Sequence, residues 1–181
     1  MGIESAITSA NGHEHEQGAH VWYKTLFAWN RGARDYIWYN FKATGWFNGN
    51  EPGYGLMTAD YHPRAGYAAF AAVTDIFEGL DADGTVYENG SRMLFRYKGT
   101  NLKGTINGIV LAGWDRGTDG TWQMQVETDA TSAQISDHMG NRTEVAINNC
   151  VVEFPGSFLP KALILQDATY AVLPKATPRL A

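Results

Sequence analysis

Three groups of side chains in the 181-residue chain have types and spacing that could do chemistry. The densest is Trp38, Asn40, Trp46, Phe47, Glu51 and Tyr54, spread over a strand end and a loop rich in Gly and Asn. Aromatic faces beside amide and carboxylate groups suit sugars, because the ring covers the apolar C–H face while the polar groups bond hydroxyls. Core packing accounts equally well for Trp38 alone. Trp46, inside a polar loop, is less naturally buried.

The second group is His13-Glu-His-Glu-Gln-Gly-Ala-His20. A helical zinc site needs two histidines four apart, so that both point from one face. Four residues after His15 stands Ala19, and His20 comes one residue late, so the pattern fails. The segment reads instead as a solvated, acidic helix start, which suits the positive end of the helix dipole. The third group, Asp137-His-Met-Gly-Asn141, holds a possible acid–base pair, but Gly-Asn marks a turn. Cys150 stands alone among alternating apolar neighbours and reads as an inert core residue. A single cysteine excludes an internal disulfide and cysteine-rich zinc patterns. No metal ligand set, phosphate loop or serine-nucleophile elbow is expected.

These groups must be held by elements that change character near residue 80. Val21/Trp22, Thr25/Leu26 and Trp29 recur at helical spacing and predict a helix from Glu14 to Arg31, stopped by Gly32. Asp35–Phe41 alternates aromatic and polar residues as a strand does. A long loop, Lys42 to Tyr61, follows, and long ordered loops are commonly functional. Pro63 suits a first helical residue, with Tyr67, Phe70, Thr74 and Phe77 as the next stripe and Gly79 as its stop. From Gly84 the period drops to two. Asn89-Gly90 predicts a tight hairpin between Thr85–Glu88 and Arg92–Tyr97, with both residues at positive φ. Gly108–Trp114 is apolar on both faces and predicts a central buried strand. Trp122–Glu127, Ala133–Ser136, Thr143–Ile147, Cys150–Phe154 and Leu163–Leu165 complete a β-sandwich.

Composition narrows the classes. Charged residues make up 18% and aromatic residues 13%, which is too aromatic for a disordered chain. A net charge of −5 gives no electrostatic footprint for nucleic acid or anionic lipid, so neither is an expected partner. No apolar run reaches the ~18 residues of a membrane-spanning helix. Met1–Ser5 lacks a basic region leading into an apolar stretch, and no signal peptide is expected in this chain.

The run Trp22–Phe41, with Arg31-Gly-Ala33 before Tyr36–Phe41, resembles the end of the (β/α)8 barrel of retaining glycoside hydrolases. The clan in question includes β-xylosidases and endoglycanases. Glu51, Tyr54-Gly-Leu56 and Asp60-Tyr-His-Pro-Arg-Ala-Gly-Tyr67 are similar to that family's last loop and the opening of its eighth helix. Ala112-Gly-Trp114 and Asp137–Asn141 resemble motifs of the β-sandwich that many such enzymes append. The likeness covers residues 14 to 166. It implies the C-terminal part of a barrel enzyme, with the acid/base on the fourth barrel strand and the nucleophile on the seventh. Glu4 has too little chain before it for the strand that would aim a nucleophile, so both catalytic carboxylates are expected upstream.

The fold class expected is α+β: two helices and one strand from the end of a barrel (1–80), an antiparallel β-sandwich (81–173) and a flexible tail (174–181). The resemblance implies a carbohydrate-active function with sugar contacts at Trp38, Asn40, Trp46, Glu51 and Tyr54, no cofactor, and a chain inactive by itself. A secreted or periplasmic parent is compatible with it. The alternative is a non-catalytic carbohydrate-binding or assembly module, and a structural protein is a third reading. An uncovered barrel strand predicts a homo-oligomer through residues 1–80.

Overall fold

A computed structural model of the chain describes residues 14–35, 37–38, 41–42, 55–117 and 122–174. Among these residues, two helices, α1 (Glu14–Asn30) and α2 (Ala65–Phe77), precede nine strands. These are β1 (Asp81–Asn89), β2 (Arg92–Thr100), β3 (Asn107–Asp115), β4 (Trp122–Thr128), β5 (Ser132–Asp137), β6 (Arg142–Val145), β7 (Val151–Gly156), β8 (Lys161–Gln166) and β9 (Ala171–Val172). One sheet has the order β1-β2-β3-β8-β5-β6 and the other β7-β4-β9, with antiparallel pairing throughout.

The six-stranded sheet is the middle of three layers. On one face Phe95, Tyr97, Val110, Ala112, Trp114 and Ile164 pack with Trp22, Leu26, Ile76 and Phe77 of the helices. On the other, Leu94, Ile109, Leu111, Leu163 and Leu165 meet Trp122, Val126, Val152 and Phe154 of the small sheet. Alternation of side chains across a strand sends odd and even residues of β3 to opposite faces. Because both faces are covered, the run from Ile109 to Trp114 is apolar at every side chain and buried throughout. Full burial of each large side chain contributes about 1.5–3 kcal/mol.

Close approach needs small residues at two places. At the crossing of the helices, Gly18 lies against Ala69 and the carbonyl of Ala65, and Gly66 lies against Gln17 and Leu56. On β3, a Cβ at Gly113 would lie 2.7 Å from the Phe154 ring, so only glycine lets the two sheets meet there. Two of the polar groups inside find backbone acceptors. Trp22 Nε1 donates to Ala69 O at 3.2 Å, and the Tyr97 hydroxyl donates to Leu26 O at 2.8 Å.

Several boundaries differ from the sequence reading. α1 is as predicted, and Gly32 follows it at φ 87°. Pro63 is not helical: it bridges to Met57, and α2 begins at Ala65 with Arg64 in extended backbone before it. The hairpin forms, but Asn89 pairs with Arg92, so its loop is Gly90-Ser91 and Gly90 alone has positive φ. That places Gly at the first central position, the other favoured two-residue loop. Of the strand predicted over 35–41, Tyr36, Tyr39 and Asn40 lie outside the described residues. Asp35, Ile37 and Trp38 join no strand, and Lys42 makes a parallel bridge to Met57. Cys150 is exposed, not core, because Asn149 (φ 51°) and Cys150 (φ 63°) are the two turn residues between Asn148 and Val151. Residues 175–181 of the expected tail lie outside the described residues.

Candidate functional site

Among the sugar-facing candidates, Asn40, Trp46, Glu51 and Tyr54 lie outside the described residues, as does Glu4. What is described is the base of their loop. Met57 N donates to Phe41 O at 2.9 Å and Lys42 bridges to Met57, so the chain leaves and returns at one point. The Lys42 ammonium stands 3.8 Å from the centre of the Tyr61 ring, fastening the base further.

Trp38 is half-buried at the margin of the helix–sheet core. Lys24 Nζ lies 5.8 Å from its ring centre. Burial, and then Arg116, lower the Lys24 pKa. The Arg116 guanidinium is 5.1 Å from the Tyr23 ring, whose hydroxyl donates to Phe158 O. His20 meets the same ring edge-on at 5.5 Å. Thus α1 presents His20, Tyr23 and Lys24 beside Trp38, opposite the loop after β3. Sequence reasoning missed this cluster. The signal was there in part, since His20 and Lys24 are four apart and share a helix face. Arg116 comes from a distant turn and carries no such signal.

The histidine segment is only partly solvated. His15 is exposed, but His20 is 6% exposed, and burial first and Arg116 second lower its pKa to about 4. The side chains of His13 and Glu14 lie outside the described residues. The Asp137–Asn141 segment is a turn, as predicted: Gly140 has φ 92°, and Asp137 Oδ1 accepts from the N–H of Met139 at 2.9 Å and of Asn141 at 3.0 Å. Burial tends to raise the Asp137 carboxyl, but the amide of Asn141 and these donors hold it below the usual range. His138 turns inward, 3% exposed, with its ring 6.0 Å from that of His15, and burial lowers its pKa.

The other acidic groups with shifted ionisation also lie low. Asp115 accepts from Gly117 N, Ser91 Oγ and Arg92 Nε at 2.8–2.9 Å, which holds its carboxyl down despite burial. At Asp83 burial is outweighed by Lys98 and Arg96. Asp83 and Asp81 line a groove of about 590 Å³ with Arg96, Lys98 and Tyr170. A second groove, about 670 Å³, has Gln123, Gln125, Glu144 and Glu153 on its walls.

No protein-family model and no curated protein matches the chain. Among solved structures, a family 39 glycoside hydrolase from the gut symbiont Bacteroides cellulosilyticus WH2 superposes with a TM-score of 0.69 and 20% identity. The match covers 88% of this chain and 32% of that one. The catalytic domain of GH30 xylanase C from Talaromyces cellulolyticus aligns with a TM-score of 0.43 and 14% identity, over 70% of this chain and 28% of that one. The present chain therefore spans about a third of the family 39 enzyme's length. The likeness to that enzyme is one of fold, and it agrees with the resemblance carried by Trp22–Phe41 and Asp137–Asn141.

Proposed function

We propose that the chain is the C-terminal portion of a carbohydrate-active glycoside hydrolase, and that it does not turn over substrate by itself. The observation that carries this is the fold likeness to a family 39 enzyme over most of this chain and a third of that one. Retaining hydrolysis needs two carboxyl groups about 5–5.5 Å apart, one of them kept protonated as the acid. Asp83, Asp115 and Asp137 have the opposite character, since their donors stabilise the ionised form. In this reading the chain's own residues bind and orient. Trp38, Asn40, Trp46, Glu51 and Tyr54 would meet the sugar, and the pinned base at Phe41, Lys42 and Met57 would hold their loop.

A second reading, a non-catalytic carbohydrate-binding or assembly module, is favoured by the apolar side chains left in solvent at Ile37 and Phe41. Turnover separates the whole-enzyme possibility from both. The purified chain should release aryl groups from aryl glycosides at the no-enzyme rate. Turnover above that rate, abolished by Glu4→Gln, would overturn the proposal.

A further inference from the structure

A groove of about 430 Å³ runs between the C-terminal ends of α1 and α2, and Trp38 is not among the residues that line it. Its floor is the partly buried indole of Trp29, tilted against Tyr97 at 5.4 Å, with Val73 beside it. Arg34 and Glu78 stand on its walls, both exposed, and neither forms an ion pair or side-chain hydrogen bond among the described residues. Two opposite charges that line one groove without meeting are available to a ligand.

The remaining polar groups are hydroxyls. Thr74 Oγ1 is bonded to Ala71 O at 2.9 Å and keeps a free lone pair. Thr25 Oγ1 is buried without a hydrogen-bond partner. Thr in a helix has two accessible χ1 rotamers, so turning this hydroxyl toward a ligand gives up no existing bond.

These features select a class of ligand. An anion would meet Glu78 and the negative ends of two helix dipoles. A cation would meet Arg34. A neutral polyol meets neither penalty: one hydroxyl accepts from the guanidinium, its neighbour donates to the carboxylate, and the C–H face covers the indole. The groove is also within the size range of small-ligand clefts, about 300–1,000 Å³. We propose that this groove is a second carbohydrate-binding site, holding one neutral sugar unit of an oligosaccharide with Trp29 against its ring and Arg34 and Glu78 on adjacent hydroxyls.

The choice of sugars as probes shares its chemistry with the proposed function, but the site stands or falls by itself. The test follows indole N–H signals by NMR while xylo-, cello- and manno-oligosaccharides are added to the full chain, with Trp29→Phe and Trp38→Phe assigning the signals. The Trp29 signal should shift saturably in the millimolar range with at least one series. Glu78→Gln and Arg34→Ala, both at exposed positions, should each weaken that binding about tenfold and leave the rest of the spectrum unchanged. A Trp29 signal silent to all three series overturns the site. So does a shift that neither substitution alters. Shifts at Trp38 with Trp29 silent overturn the groove and leave the proposed function standing. Turnover by the chain alone with Trp29 responsive does the reverse.

Discussion

His20 faces the interior of α1's packing with Tyr23 against its ring, and Arg116, Lys24 and Glu16 are the charges around it. Burial, then Arg116 and Lys24, lower its pKa from 6.5 to about 4, while Glu16 opposes them. The unfolded chain therefore binds a proton first as pH falls. The contribution of neutral His20 to stability is fully present above about pH 6.5, declines as pH falls, and is gone below about pH 4. The loss is on the order of 3 kcal/mol, and His138, lowered in the same direction, adds to it. Urea midpoints measured between these limits should fall steeply for the wild type and less steeply for His20→Gln. Equal slopes would mean that His20 is solvated in the folded chain. Residue-level reading of the sequence erred here and at Cys150 for one reason: burial depends on what packs from elsewhere. Acidic neighbours suggested a solvated His20, and apolar neighbours suggested a buried Cys150. The sheet and the turn reversed both.

Elements were more legible where one local cause decided them. The helical stripe of α1 and the two-faced run of β3 needed no knowledge of partners beyond the need to bury apolar surface. The hairpin was legible because Gly tolerates positive φ, but the frame moved by one residue, since either two-residue loop can close it. β4 follows β3 directly in the chain, yet it crosses to the small sheet and pairs with β7 and β9, which periodicity alone does not show. A two-residue strand such as β9 carries no periodic signal at all. The β5–β6 turn shows how a single carboxylate fixes an element. Asp137 receives two backbone N–H groups and the Asn141 amide, at 2.8–3.0 Å. Asp137→Ala should cost about 1–3 kcal/mol in equilibrium unfolding, because the turn loses three hydrogen bonds to a charged acceptor, one of them part-buried. No loss would mean that water replaces the carboxylate there.

At the scale of the whole molecule, the six-stranded sheet is covered by helices on one side and by strands on the other, and among the described residues no further layer lies over the helices. Ile37 is 88% exposed, Tyr61 63% and Phe41 55%, and the Phe41 ring meets Tyr67 edge-on at 5.9 Å. Exposed apolar side chains on one stretch of chain, as at Ile37 and Phe41, offer a place where something else docks. The proposed function supplies the reason: in a complete barrel, neighbouring units would lie against the region before residue 80. The candidate site was the least legible part, because a loop carries no periodic signal, and of its five residues only Trp38 lies among the described ones. Sedimentation of the purified chain at micromolar concentrations tests this most directly, with Ile37→Lys as the probe. The chain should self-associate with increasing concentration, and Ile37→Lys should weaken that association at least tenfold. A monomer whose state is unchanged by Ile37→Lys would contradict it, since the helical layer would then need no neighbour.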